Sequence, residues 1–377
     1  MKVYAGLAGI PVVKSSISYI DGQKGILEYR GIPIYELVQN SNFLEVSYLL
    51  VFGKLPKQTE YDQFLCDVKN NLNVDSSIIN FLKDIPKDTH PMKVLQSIIP
   101  ILSAFDENKD VLDEKHHYSA LVRLLGQTPT VLAAWKRISE GKEIVEPDFR
   151  LSYGENFLYM LRGEKPEKAE GEIFDKCLIL HAEHTINAST FTAIVVVSTL
   201  ADFYSCVSSA VGSLSGRLHG GANERVYHML SHIEKIEDIP KIIDEKLSRK
   251  ERIMGFGHRV YKTYDPRALI IKELLEKLIK IKGDNIPLYQ KAKEFEKVAL
   301  ERLKEKKIYP NIDFYSGVLY SLLGIPPEFY TPVFAMARIS GWIAHCKEYL
   351  KENKLFRPTQ IYDGGHNIHY IPPEKRE

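Results

Sequence analysis

The sequence predicts a mainly α protein built from two domains. Apolar residues recur at helical spacing along most of the chain after residue 34, clear helix caps punctuate those runs, and few segments alternate as a strand would. At 377 residues the chain also exceeds what one ordinary core organises.

The exception comes first. Ile20-Asp21-Gly22, Lys24-Gly25 and Arg30-Gly31-Ile32-Pro33 read as short strands and turns between residues 18 and 34. Phe43, Val46, Leu49 and Leu50 then share the face of a helix that Gly53 stops. Val94, Ile98, Ile101, Leu102 and Phe105 continue one helical pattern, which Pro100 is placed to kink.

Residues 191–211 are the most apolar stretch and have the length of a membrane span. Asp202 and the Ser or Thr at 192, 198, 199, 205, 208 and 209 argue for a buried helix instead, although the run Ile194-Val195-Val196-Val197 also suits a short strand. Glu224 to Ile233 follows a helical pattern. Asp265-Pro266-Arg267 supplies an N-cap and a proline at the first helical position. Ile271, Leu274, Leu275 and Leu278 line that helix, and Gly283 ends it. Residues 288–307 read as an exposed amphipathic helix. Thr331-Pro332 offers the same capping device before a helix over 334–350. There is no repeat of fixed period, which weakens a solenoid reading. Polar breaks at 213–216 and 324–327 divide the chain into a large domain (1–215 and 325–377) and a small one (216–324).

Hydrophobic residues are 44% and charged residues 26%, which excludes a disordered chain and a small disulfide scaffold. Fifty basic and 49 acidic residues leave a net charge of +1, so no basic excess points to nucleic acid. Cys66, Cys177, Cys206 and Cys346 are far apart and suit a reducing cytosol. Residues 1–11 lack the pattern of a signal peptide, so a cytoplasmic protein with no membrane attachment is expected.

Four histidine or carboxylate segments stand out. His181 and His184, at i and i+3, can meet on one helix face as zinc ligands or as a hydrogen-bonded pair; no third ligand is signalled. His219 lies among glycines in Leu218-His219-Gly220-Gly221-Ala222-Asn223, just before a helical pattern, where backbone can approach an anion closely. Ser215 sits in the fourth place of its Gly-to-Gly run, so it fails the esterase G-x-S-x-G pattern. Gly255-Phe256-Gly257-His258 lacks the third glycine of a dinucleotide fingerprint, yet Lys262 and Arg267 bring positive charge to a loop suited to phosphate. Asp313, in Asn311-Ile312-Asp313-Phe314-Tyr315-Ser316-Gly317, precedes an apolar run and reads as an N-cap or as a base.

Taken in order, these motifs resemble the citrate synthase family in its short bacterial and archaeal form. The likeness runs from Gly6-Leu7-Ala8-Gly9, through Leu27-Glu28-Tyr29-Arg30-Gly31, to Arg357-Pro358. The resemblance implies a helical homodimer whose small domain closes over oxaloacetate and acetyl-CoA, with a C-terminal arm reaching the partner subunit. It implies Asp313 as base, with His219 and His258 as its partners. It implies oxaloacetate binding by His184, Asn187, Arg267, Phe334 and Arg338, and by Arg357 in the partner's site. It implies CoA binding through Gly255, Phe256, Gly257 and Lys262, with Lys where the family usually has Arg. No metal and no other cofactor is implied, since acetyl-CoA is a substrate, and no NADH inhibition is expected.

That chemistry needs these residue types. A thioester methyl is a very weak carbon acid, so a base succeeds only where a neutral donor stabilises the enolate oxygen. A second donor polarises the ketone and protonates the alkoxide. Two substrate carboxylates call for guanidinium forks. The rival readings are 2-methylcitrate synthase or dual activity, a citryl-CoA lyase, an inactive helical dimer, and a zinc hydrolase on His181 and His184.

Overall fold

The computed structural model describes residues 3–7, 9–283 and 286–376; Ala8 of the first motif lies outside them. A 3-10 turn, Ala5–Leu7, precedes strands β1 (Ser18–Asp21), β2 (Ile26–Tyr29) and β3 (Ile32–Pro33). They form one antiparallel sheet in that order, with Ser18 opposite Tyr29 and Tyr29 opposite Ile32. Gly31, at φ 81°, makes the tight turn between β2 and β3.

Sixteen α-helices follow among the described residues. The first group is α1 (Ile34–Asn40), α2 (Phe43–Phe52), α3 (Gln58–Asn70), α4 (Ser76–Asp84), α5 (Pro91–Leu102) and α6 (Glu114–Ser139). Asn42 caps α2 through its side chain, and Gly53, at φ 82°, ends it as the sequence predicts. Next come α7 (Tyr153–Arg162), α8 (Lys168–His181), α9 (Ala188–Val197) and α10 (Phe203–Leu214). The third group is α11 (Ala222–Ser231), α12 (Ile239–Ser248), α13 (Pro266–Lys282), α14 (Pro287–Leu303) and α15 (Ile312–Leu322). Last is α16 (Tyr330–Leu350), buried from Tyr330 to Cys346 except at Phe334.

Two helices carry an internal proline, and packing answers both. Pro100 in α5 has no N–H for the Gln96 carbonyl one turn back; Ser208 Oγ, on α10, donates to it at 2.8 Å. Pro129 in α6 likewise frees the Leu125 carbonyl, which accepts from Tyr153 Oη, on α7, at 2.9 Å. Each proline thus becomes a fixed point of helix–helix contact.

Four expectations need correction. The apolar stretch over 191–211 is not one helix: α9 ends at Val197, Leu200 takes a left-handed φ of 66°, and Asp202 caps α10. The β-branched run is helical, because α9 packs between α10 and α16. Thr331 does not cap α16, which already begins at Tyr330 after the 3-10 turn Pro327–Phe329. The pattern through Phe105 does not stay α-helical; α5 stops at Leu102 and Phe105 closes a 3-10 turn. Asp313 is not an N-cap either, since Asn311 caps α15 and accepts from the Asp313 N–H at 3.0 Å.

Helices α11 to α15 pack mainly on one another; α13 against α8 and α11 against α16 join them to the rest. The site forms along that seam. No helix among the described residues is long and apolar enough to cross a membrane.

Candidate active site

The three histidines and Asp313 are placed at or beside helix ends, whereas Phe334 and Arg338 come from inside α16. His184 follows the end of α8, His219 precedes α11, His258 precedes α13, and Asp313 opens α15. Backbone glycines allow the close approach. A Cβ on Gly220 would stand 2.1 Å from the Leu214 carbonyl oxygen, and one on Gly255, at φ 79°, would strike Val226 and Phe314.

Both proposed donors have their tautomers set by backbone. The Ser189 N–H, in the first turn of α9, donates to His219 Nε2 at 3.2 Å, and Ser189 Oγ lies 2.8 Å from the same nitrogen. Nε2 is therefore the acceptor, and the proton sits on Nδ1. At His258 the roles are exchanged. The Val260 and Tyr261 N–H groups donate to its Nδ1 at 3.0 and 3.3 Å, leaving the proton on Nε2. Burial and the Arg338 charge push His219 down to about 4; burial and Arg267 push His258 down to about 4. Both imidazoles are neutral donors at neutral pH.

Asp313 behaves in the opposite sense. Burial raises its carboxyl to about 6 against the pull of Arg267. Arg267 is buried and forms a bidentate pair with Asp265, at 3.0 and 2.7 Å. Arg338 is equally buried but, among the described residues, has no carboxylate in contact: its Nε donates to the His181 carbonyl at 2.6 Å, its guanidinium lies 4.6 Å from the Phe334 ring centre, and its Nη2 has no partner. His184 is held neutral by burial and Arg267, and its Nε2 is 3.2 Å from Tyr261 Oη. Its ring centre is 5.1 Å from that of His258.

The structure thus gathers His184, His219, His258, Arg267, Asp313, Phe334 and Arg338. Asn187 sits beside them as the cap of α9, accepting from the Thr190 N–H at 3.0 Å, with its Oδ1 2.7 Å from Ser189 Oγ. Arg357 is not gathered: it is exposed on the tail and donates to the Pro358 carbonyl. Gly255 and Gly257 shape the loop, and the Asn311 side chain donates to the Gly257 carbonyl at 2.9 Å. The Phe256 ring turns away to pack on Phe314, at 5.0 Å between centres. Lys262 is exposed and borders a cavity of about 120 Å³ with Gly257, His258, Lys306 and Lys307.

His181 and His184 do not share a helix face, because His181 is the last residue of α8. His181 Nδ1 is taken by the Cys177 carbonyl at 2.7 Å. Among the described residues, no three His, Cys, Asp or Glu are placed to hold a metal ion.

Ser189, Tyr261, Lys306 and Lys307 carry no sequence signal of their own, and Asp265 was legible only as a cap. The D-P-R spacing is the one clue missed, since a cap at i can also pair an arginine at i+2.

A mainly helical fold with neutral histidines, a raised carboxyl and buried guanidiniums defines a class: acid–base enzymes acting on small polyanions. Comparison with known proteins makes this specific. The family model described as citrate synthase, C-terminal domain, matches residues 6–359. The chain is 48% identical to a citrate synthase of Synechocystis over 98% of this chain and 93% of that one, and 42% identical to one of Deinococcus radiodurans over 99% and 98%. The citrate synthase structure from Pyrobaculum aerophilum superposes with a TM-score of 0.93 at 37% identity, over 98% of this chain and 95% of that one. That of Thermoplasma acidophilum, a ternary complex with carboxymethyl coenzyme A and oxaloacetate, gives 0.92 at 31% identity over 100% of both chains. The chain belongs to the citrate synthase family and is an acyltransferase of that kind.

Proposed function

We propose that the chain condenses acetyl-CoA with oxaloacetate and water to give citrate and CoA. The observation that carries this reading is the pair of neutral imidazoles, each with one N–H left free by backbone donors to its other nitrogen, beside a carboxyl raised to about 6. Asp313 takes a proton from the thioester methyl. The His219 Nδ1–H donates to the thioester oxygen and stabilises the enolate. The His258 Nε2–H polarises the ketone of oxaloacetate and protonates the alkoxide as the carbon–carbon bond forms. Water then hydrolyses citryl-CoA.

Arg338, Arg267, His184, Asn187 and Phe334 form the oxaloacetate site, completed by Arg357 of a second subunit in a homodimer. The exposed position of Arg357 supports that arrangement, because it leaves the side chain free to act elsewhere. Lys262, with Lys306 and Lys307 beside it, binds CoA phosphates as point charges, while Gly255, Phe256 and Gly257 offer backbone to CoA. Residues 216–324 close as a small domain over 1–215 and 325–377, which excludes water until condensation is complete. No cofactor is required, and the sparse unpaired cysteines support a cytosolic setting.

The relatives named above are citrate synthases, which disfavours 2-methylcitrate synthesis. The test is release of CoA, followed with a thiol reagent, from acetyl-CoA and from propionyl-CoA, each with and without oxaloacetate. Oxaloacetate-dependent release with citrate as product, faster from acetyl-CoA, is expected. Preference for propionyl-CoA would reverse the substrate assignment, and no release from either would remove the synthase reading.

A further inference from the structure

Behind His184 lies a buried carboxylate that the reaction does not touch. Glu183 has no exposed surface. Its Oε1 accepts from Ser18 Oγ and His345 Nε2, both at 3.0 Å, and its Oε2 has no partner. A Cβ on Gly341 would stand 2.5 Å from that free oxygen, 2.4 Å from the Ala182 carbonyl and 3.3 Å from Arg338 Cδ. Arg338, Gly341 and His345 therefore meet residues 181–184 along one face of α16, at i, i+3 and i+7.

The backbone around His184 is held as firmly. Tyr29 Oη donates to the Glu183 carbonyl at 2.8 Å, and the Thr185 N–H donates to Ser18 Oγ at 3.2 Å. Thr185 is kept at φ 53°, an unfavourable place for a β-branched residue. Burying a carboxylate is costly unless its charge is answered. Burial works to raise the Glu183 carboxyl, but His345, Arg338 and Ser18 outweigh it and hold it below the usual range. The contrast with Arg267 is informative. Asp265 already occupies the fork of Arg267, whereas Arg338 is supported by Glu183 without contact and keeps Nη2 unpaired.

We propose that Glu183 is a positioning residue for oxaloacetate: it fixes His184 against Arg338 and balances the Arg338 charge while leaving that guanidinium free for a substrate carboxylate. This rests on the reading of His184 and Arg338 as oxaloacetate ligands.

Four variants of the full chain test it: Glu183→Gln, Glu183→Asp, Ser18→Ala and, as reference, His184→Asn. The readouts are kcat, KM for each substrate, equilibrium binding of oxaloacetate to the free enzyme, and thermal unfolding. Glu183→Gln is expected to weaken oxaloacetate binding about tenfold while the acetyl-CoA KM stays within about twofold, the loss typical of one charge-assisted contact. Ser18→Ala keeps the charge, removes the Ser18 Oγ bonds to Glu183 and from the Thr185 N–H, and should weaken oxaloacetate binding about threefold. Glu183→Asp, which restores the charge, should recover part of the loss. Wild-type oxaloacetate binding in Glu183→Gln, or in Ser18→Ala if the first does not fold, overturns the proposal. So do equal changes in both KM values that track a lower unfolding midpoint. If His184→Asn also binds oxaloacetate normally, the substrate site itself is misassigned; if it binds weakly while the other variants do not, only the role of Glu183 falls.

Discussion

Asp313 has to be basic enough to deprotonate carbon yet ionised at working pH, and its carboxyl at about 6 meets both demands. Activity should therefore fall as pH drops through about 6, following one protonation, while the histidines, near 4, stay neutral. A pH profile of kcat/KM checks this. The same shift has a cost in stability. Between the unfolded value of 3.8 and about 6 the folded chain binds more protons, so stability falls as pH rises through that window. At neutral pH the loss is at most about 3 kcal/mol. Asp313→Asn should abolish condensation, retain oxaloacetate binding and raise the unfolding temperature at pH 7.5; near-normal turnover would sink the base assignment. Ser189→Ala should lower kcat about tenfold to a hundredfold with KM little changed, because His219 loses a partner that orients its free N–H. The sequence marked Asp313, His219 and His258 through their motifs. It did not show which nitrogen of each histidine carries the proton, since that depends on backbone N–H groups brought in by folding.

At the scale of elements, caps and spacing were good guides where the signal is local. Asp265, Gly53 and Gly283 act where the sequence places them. The errors came where neighbours decide. Asn311 rather than Asp313 caps α15, which leaves the carboxyl of Asp313 free for chemistry. The internal prolines of α5 and α6 depend on hydroxyls from α10 and α7, which lie far along the chain. Ser208→Ala and Tyr153→Phe should each destabilise the fold by about 1 kcal/mol in urea, because each leaves a partly buried carbonyl without its donor. An unchanged midpoint in both would show that the helices relax around their prolines.

At the scale of the whole molecule, the proposed active site needs two domains and two subunits. Arg357→Ala should raise the oxaloacetate KM. Mixed dimers of Arg357→Ala with Arg267→Ala should recover part of the activity, because one of the two sites then has both arginines; no recovery would count against sharing. Oxaloacetate should also shrink the radius of gyration in solution scattering if the small domain closes. The sequence by itself determined the helical class, most helix boundaries and the motif residues, because caps, turn glycines and apolar spacing act over a few residues. Only the tertiary structure decided the charge states and pairings: that Asp265 occupies Arg267, that Arg338 Nη2 stays unpaired, and that Glu183 stands behind His184. Those depend on burial and on partners as much as 165 positions apart in the chain, which no local pattern encodes.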